Sequence, residues 1–181
     1  EARAASLSVA PASGQFAVGS VVSVSVFLDT EGESVNAIET SLNFPPDKLQ
    51  LVSPSVGQSI LTIWVAQPQF NNQSGRIDLV GGITGGIKTS QGLIATLNFR
   101  VKSVGSTAIK FLDNSRVLLN DGLGTDVLRG TVNGVYQLVL PPPAGPIVSS
   151  ETHADQTKWY ADRNAILRWA PATSVAGYSY V

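Results

Sequence analysis

The clearest structural signal in the sequence is the segment Leu93-Ile94-Ala95-Thr96-Leu97-Asn98-Phe99-Arg100-Val101, in which apolar and polar side chains alternate. Successive side chains of a β-strand point to opposite faces, so a period of two residues predicts a strand. The predicted inward-facing row is Leu93, Ala95, Leu97, Phe99 and Val101, and the predicted outward-facing row is Thr96, Asn98, Arg100 and Lys102. One apolar and one polar face are typical of an antiparallel sheet that packs on one side and meets water on the other.

The same alternation recurs earlier in the chain. Residues 22–28 carry Val or Leu at every even position, and residues 36–44 carry Ile38, Thr40, Leu42 and Phe44 on one face. Further strands are predicted at residues 7–10, 49–52, 61–66, 77–83, 107–112 and 132–140, with turn-forming residues between them. Nine short strands without a convincing amphipathic helix predict an all-β fold, namely a nine-stranded antiparallel β-sandwich of the jelly-roll type.

A proline-rich segment, Pro141-Pro142-Pro143-Ala144-Gly145-Pro146, divides the sequence. Proline cannot donate a hydrogen bond to a sheet ladder, so we predict a stiff linker at residues 141–146 after a sandwich domain at residues 1–140. Residues 147–150, 165–169 and 178–181 are predicted strands of a partial second β-domain at residues 147–181. Three strands cannot close a sandwich, which makes self-assembly with a neighbouring chain one hypothesis for a partner.

The composition excludes several classes of function. Only 14% of the residues are charged and the formal net charge is −1, so we expect no nucleic-acid partner. The absence of Cys excludes disulfides and thiolate zinc sites, and it is compatible with secretion into an oxidising compartment. No apolar run reaches the roughly 18–20 residues of a membrane span. We therefore expect a secreted, extracellular protein that is attached to a cell surface through parts outside this sequence.

Residues suited to catalysis or metal binding are sparse. His153 is the single histidine, and no two acids are placed as a catalytic pair, so we expect no enzymatic activity and no cofactor. The loop from Asn120 to Asp126 contains oxygen donors that could bind calcium. We favour an ordinary turn there, because only two acids are available for the six to eight ligand positions that calcium fills.

The order of motifs resembles that of cohesin domains. Residues 35–52, Val-Asn-Ala-Ile-Glu-Thr-Ser-Leu-Asn-Phe-Pro-Pro-Asp-Lys-Leu-Gln-Leu-Val, resemble the third and fourth cohesin strands, in which an alternating strand ends in an aromatic and a Pro turn. Residues 7–11, 92–101 and 130–135 are similar to the opening, later and closing strands of that family. The resemblance covers roughly residues 6–140 and implies a jelly-roll sandwich related in fold to cellulose-binding modules.

The resemblance also implies a function. Cohesins hold a dockerin module on a cell-surface or polysaccharide-degrading assembly, using polar residues on one sheet face. On this sequence the corresponding residues are Glu39, Ser41 and Asn43. We therefore expect a non-catalytic module that binds a protein partner, either a dockerin-like module or a surface protein.

Two alternatives stay open for the function. The related fold and Trp64 suggest a carbohydrate-binding module with a polysaccharide ligand, although a single Trp is more often buried in a core or interface. The partial second domain suggests a structural repeat of a surface fibre or layer. In that domain, Lys158-Trp159-Tyr160 followed by Leu167-Arg168-Trp169 resembles the start of a bacterial immunoglobulin or fibronectin-type module.

Overall fold

The computed structural model describes residues 4–145, 147–155 and 157–170. The chain divides into two compact units, and the division lies between Leu140 and Pro141. Each unit is described by itself below. Among the described residues, no helix has the length and hydropathy that crossing a bilayer requires.

The described part of the first unit consists of strands and turns. In chain order its strands are β1 (Ala5–Ala10), β2 (Ser13–Ala17), β3 (Val21–Asp29), β4 (Val35–Asn43), β5 (Leu49–Ser55), β6 (Ile63–Trp64), β7 (Gln69–Asn71), β8 (Arg76–Ile87), β9 (Gly92–Val101), β10 (Gly105–Phe111), β11 (Arg116–Leu119), β12 (Leu128–Val132) and β13 (Gly134–Val139). The prediction of an all-β fold is confirmed.

These strands form two sheets. The smaller sheet has the order β12-β1-β3-β9-β5. The larger sheet has the order β2-β13-β10-β4-β8-β6, and β11 and β7 pair with β4 and β8 respectively. Most neighbouring strands are antiparallel, but β1 pairs with β12 and β2 pairs with β13 in parallel. The two sheets enclose one apolar core, so the sandwich prediction is confirmed.

The core follows the predicted alternation. The even-numbered residues of β3 and the row of Ile38, Thr40 and Leu42 on β4 are buried. Phe44, just after β4, packs edge-to-face on Phe99 of β9, with ring centroids 5.1 Å apart and an interplanar angle of 71°. Since β4 and β9 belong to different sheets, this aromatic pair ties the two layers together.

The predicted inward row of β9 is wrong at one position. The pairing of β3 with β9 shifts by one residue between Val26 and Phe27, so that Val26 lies opposite Ala95 and Phe27 lies opposite Leu93. Ile94 therefore occupies the core and Leu93 is only partly buried. A bulge reverses the faces of the residues that follow it, which period-two counting cannot detect.

The described first unit has thirteen strand segments where nine were predicted. The predicted strand at residues 61–66 shortens to Ile63–Trp64, and the predicted strand at residues 132–140 corresponds to β13, with its first residue at the end of β12. The additional segments β2, β7, β11 and β12 have three to five residues each. Such short pieces carry too few alternations to be recognised from the sequence, and β2 begins in a Ser-Gly pair that is also typical of a turn.

The chain passes from the smaller sheet to the larger one between β1 and β2. The hydroxyl of Tyr136 on β13 donates a hydrogen bond to the carbonyl oxygen of Pro11 in this connection, at 2.7 Å. Burial raises the pKa of Tyr136 to about 12, so the hydroxyl remains a donor at any physiological pH. This bond fixes the crossover against the sheet that β2 joins.

The second unit contains two described strands, β14 (Val148–Ser150) and β15 (Leu167–Trp169), paired antiparallel. They lie within the first two strands predicted for this region. The third predicted strand, at residues 178–181, lies outside the described residues. The immunoglobulin or fibronectin resemblance and the role of residues 141–146 as a linker stay predictions.

Gly75, in the turn before β8, provides a test of the packing. It has a φ of +69°, and a Cβ there would collide with the carbonyl oxygen of Phe44. We expect Gly75→Ala to lower the free energy of unfolding by about 2 kcal/mol or more, because backbone strain and overlap add. Denaturant unfolding followed by tryptophan fluorescence measures the change.

Gly57→Ala is the matched control, because a Cβ at Gly57 meets no atom within 4 Å. Its effect should stay within about 0.5 kcal/mol of zero. Equal stability of the two variants would contradict the packing around Phe44.

Candidate functional site

The outward surface of β4 and its neighbouring strands is the region that the sequence analysis selected. We call it the β4 face. Residues opposite one another on paired strands share a face, so the registers define four rows across it. These rows are Lys110 with Asn43 and Arg76; Ser41 with Asp78 and Gln69; Arg116 with Glu39 and Val80; and Leu118 with Ala37, Gly82 and Ile63.

The three predicted partner-binding residues share this face but differ in environment. Glu39 and Asn43 are exposed, whereas Ser41 is only 6% exposed. Within the described residues, the Glu39 carboxylate has no hydrogen-bond or ion-pair partner. Arg116, opposite Glu39 on β11, is also exposed. The centre of the face thus holds two accessible, oppositely charged side chains.

Ser41 is buried beneath a polar network. Its hydroxyl donates to Oδ1 of Asp78 at 2.6 Å, and Nδ2 of Asn114 donates to the Ser41 hydroxyl at 2.9 Å. Arg76 donates two hydrogen bonds of 2.8 Å to the same carboxylate, from Nε to Oδ2 and from Nη2 to Oδ1. The hydrogen bonds from Arg76 hold the pKa of Asp78 below its usual range. The geometry gives Ser41 a structural role inside the face.

Asn43 lies at the polar end of the face. Its Nδ2 donates to the carbonyl oxygen of Gly75 at 3.2 Å and approaches that of Ser74 at 3.4 Å. The amide therefore holds the turn before β8, while its oxygen stays available to a partner.

The other end of the face is apolar, and sequence reasoning missed most of it. Leu118, Ala37 and Gly82 lie side by side, and Ile63 at the sheet edge is 56% exposed. Leu118 and Arg116 belong to β11, which was not predicted as a strand. The only sequence signal that could have placed them is the short apolar run Val117-Leu118-Leu119 after Arg116, and so few residues do not decide between a strand and a loop.

Trp64, the candidate carbohydrate-binding residue, lies opposite Gly81 and packs against the core. Phe70 nearby is 41% exposed. Sugars stack on the open face of an aromatic ring, and Trp64 directs much of its ring to the interior. The structure therefore does not bring a row of aromatic side chains together at this point.

The loop from Asn120 to Asp126 uses its oxygens internally. Asp121 accepts hydrogen bonds from the backbone N–H of Leu123 at 2.8 Å and the hydroxyl of Thr125 at 2.6 Å. Asp126 accepts from the N–H groups of Val117 and Leu128. The hydroxyl of Thr125 is the main reason that the pKa of Asp121 lies below its usual range. In the described parts of the chain, no three His, Cys, Asp or Glu side chains are grouped as for a metal.

The Asp78 network yields a prediction about stability. The pKa of Asp78 is lower in the folded protein, so its stabilising effect exists at neutral pH and disappears as the pH falls through that folded pKa. We expect Asp78→Asn to cost about 1 kcal/mol of unfolding free energy at pH 7, since the pair with Arg76 is partly exposed and screened. Denaturant titrations at pH 7 and pH 3 should show this difference shrinking in acid. A difference that is independent of pH would contradict an ionised, hydrogen-bonded Asp78.

The loop from Asn120 to Asp126 yields a second prediction. Because its carboxylates are already occupied by N–H and O–H donors, calcium at about 1 mM should leave the melting temperature unchanged, with no heat of binding in calorimetry. A saturable heat that Asp121→Asn removes would overturn this interpretation.

Comparisons with known proteins agree with this architecture. The sequence profile of the cohesin domain family matches residues 5–134. Comparison with curated protein sequences gives no significant match.

Several solved structures share the fold. A chain of a type I cohesin–dockerin complex from Clostridium thermocellum is 15% identical, with a TM-score of 0.63 over 77% of this chain and 96% of that one. A non-cellulosomal cohesin from the hyperthermophilic archaeon Archaeoglobus fulgidus is 20% identical, with a TM-score of 0.61 over 75% and 91% of the two chains. The seventh ScaB type I cohesin from Pseudobacteroides cellulosolvens is 15% identical, with a TM-score of 0.63 over 78% and 96%. Because the family profile matches most of this sequence, from residue 5 to residue 134, the chain belongs to the cohesin family.

Proposed function

We propose that this chain is a non-catalytic, extracellular binding module that holds a dockerin-type protein partner on its β4 face. The observation that carries the proposal is Glu39 at the centre of that face, which is exposed and has no hydrogen-bond or ion-pair partner among the described residues, beside the exposed Arg116. Membership of the cohesin family supports the class of partner. Structures similar to this chain include cohesin–dockerin complexes, which also supports it.

The geometry suits a protein partner better than a small molecule. The face is an open sheet surface with charged residues at its centre, an apolar row at one end and hydrogen-bonded polar residues at the other. Small ligands favour concave pockets that bury most of their surface, whereas flat surfaces with mixed polarity are typical of protein interfaces. We propose Glu39 and the Asn43 side-chain oxygen as contact groups, with Ser41 supporting them from below.

The proposal of a non-enzyme rests on the environment of the acids. Glu39 is exposed, and Asp78 is neutralised by Arg76. General acid catalysis by a carboxyl group needs a raised pKa in a desolvated site, and the shift at Asp78 has the opposite direction. Membership of the cohesin family supports a secreted module on a cell surface or polysaccharide-degrading assembly. The carbohydrate-binding and structural-repeat alternatives stay predictions, and the partial burial of Trp64 weighs against the first.

A binding measurement tests the role of Glu39. The chain is titrated against a panel of immobilised dockerin modules, including those of the Clostridium thermocellum complexes. We expect at least one dockerin to bind. Glu39→Gln should weaken that binding about tenfold or more, because an oppositely charged group of the partner would then lose the carboxylate that it faces.

Gln50→Lys is the control. Gln50 is exposed on β5, in the other sheet, and its substitution changes the net charge by the same +1 as Glu39→Gln. Gln50→Lys should bind as the parent does. Equal weakening by both variants would indicate a general effect of net charge and contradict a contact at Glu39.

A further inference from the structure

The outermost strands of the two sheets differ in how their free edges are protected. A free edge presents unpaired N–H and C=O groups, which can pair with a strand of another chain. At β5 the side-chain amide of Asn72 occupies both backbone groups of Leu51. The N–H of Leu51 donates to Oδ1 of Asn72 at 2.8 Å, and Nδ2 of Asn72 donates to the Leu51 carbonyl oxygen at 2.9 Å. Pro54, in the same strand, has no N–H to offer a further strand.

Two more edges are protected in other ways. At β12, the guanidinium of Arg129 donates to the carbonyl oxygen of Leu128 at 2.9 Å and approaches that of Asp126 at 3.4 Å. At the far edge of the larger sheet, β6 and β7 have two and three residues, and Pro68 lies between them. Charged side chains, proline and very short strands are the usual means of preventing a sheet edge from pairing.

Strand β2, at the other edge of the larger sheet, has none of these protections. Its sequence, Ser13-Gly14-Gln15-Phe16-Ala17, contains no charged residue and no proline. Ser13 and Gln15 are exposed. Its one neighbouring strand is β13, so one side of β2 lies open.

The hydrogen bonds at the two ends of β2 show which residues point to the open side. The carbonyl oxygen of Ala12 accepts from the N–H of Val135 at 2.9 Å, and the N–H of Val18 donates to Val139 at 2.8 Å. Because the N–H and C=O groups of successive strand residues point to alternate sides, the even-numbered residues of β2 bond to β13. The odd-numbered residues therefore direct their backbone groups away from the sheet.

The open side of β2 thus has a defined pattern of donors and acceptors. Within the part of the chain that the structure describes, the N–H and C=O of Gln15, the C=O of Ser13 and the N–H of Ala17 have no partner. The Ala17 carbonyl oxygen is already occupied, because it accepts from the N–H of Ser20 at 3.1 Å and from the Ser20 hydroxyl at 2.6 Å.

We propose that two copies of this chain associate weakly by pairing their β2 strands antiparallel, around a two-fold axis at Gln15. In that register the two Gln15 residues exchange both of their backbone hydrogen bonds. On each side of this pair, the N–H of Ala17 in one copy donates to the free carbonyl oxygen of Ser13 in the other. The open edge is therefore complementary to itself, as a two-fold interface requires.

The side chains of β2 also favour a second copy as the occupant. Because β2 carries no charge, pairing it with itself brings no like charges together. Beside Gln15 on the outward face lies Gln137 of β13, which is also uncharged. On the inward face, the register places Gly14 of one copy opposite the partly buried Phe16 of the other, so the two Phe16 rings extend the apolar layer across the junction.

The size of this contact sets its strength, and its symmetry sets the arrangement of the two modules. Five residues on each copy bury far less than the roughly 1,600 Å² of a standard interface, so we expect a dissociation constant of about 10 µM to 1 mM. The two-fold axis is perpendicular to the joined sheet, which places both β4 faces on the same side. The two β4 strands are seven strand spacings apart, or about 34 Å.

Sedimentation equilibrium of the full chain between about 10 µM and 1 mM tests the association, and the average mass should rise reversibly from one chain toward two. Gln15→Lys and Gln15→Glu each place like charges opposite one another across the axis, so each should weaken association about fivefold or more. An equimolar mixture of the two variants should regain the affinity of the parent, because a lysine then faces a glutamate. Both variants should keep the parent's melting temperature, since Gln15 is exposed.

Gln50→Lys is the matched control, because Gln50 is exposed on β5 and the substitution adds the same charge as Gln15→Lys. It should associate as the parent does. A parent that remains a single chain at 1 mM, or equal weakening by Gln50→Lys, would overturn the proposal. A mixture that associates no better than either Gln15 variant alone would overturn the pairing centred on Gln15. If Gln15→Lys does not fold, Gln15→Glu decides, and parent-like association of that variant overturns the proposal.

Discussion

The structure depends on the position of β4 in the middle of the larger sheet. Because β8 pairs along one side of β4 and β10 and β11 pair along the other, this strand has a neighbouring strand on both sides. Its inward row must then fill the core and its outward row must face solvent or a partner. Phe44 follows β4 directly, and its contact with Phe99 of β9 links this strand to the smaller sheet. The strand that organises the core thus also positions the candidate docking face.

The sequence predicted the strands in which apolar inward-facing and polar outward-facing residues alternate over many positions. The alternation in β3, β4 and β9 is long enough to define the strands and, apart from the bulge at Leu93 and Ile94, their inner faces. The parallel pairings of β1 with β12 and β2 with β13 could not be predicted, because register and direction depend on contacts between distant segments. Short strands such as β11 were missed for a related reason: pairing with β4, and not local pattern, makes them strands.

In the candidate site, too, the sequence predicted which residues share a face but not which side chains they contact. Periodicity placed Glu39, Ser41 and Asn43 on one face, and the structure brings them there. It could not reveal that Ser41 lies under Asp78 and Asn114, since those residues are 37 and 73 positions away in the chain. Arg76 and Asp78, two residues apart on one strand, are a pattern that could have indicated a surface ion pair. The charge of a strand face can be predicted from sequence, but the satisfaction of its polar groups requires the neighbours.

The two ends of the β4 face differ in how much freedom they leave to a partner. At the Asn43 end, the bonds among Arg76, Asp78 and Ser41 are complete, so a partner gains little by replacing them and would have to break short, charge-assisted contacts. At the Ala37 end, the row of Leu118, Ala37, Gly82 and Ile63 carries no polar side chain, and its two central residues are small. Rigid polar residues beside an apolar row reduce the entropy lost on binding, because the hydrogen-bonded part of the face needs no reorganisation. For this reason the affinity of the face should depend on contacts to the apolar row as well as on the charged contact at Glu39.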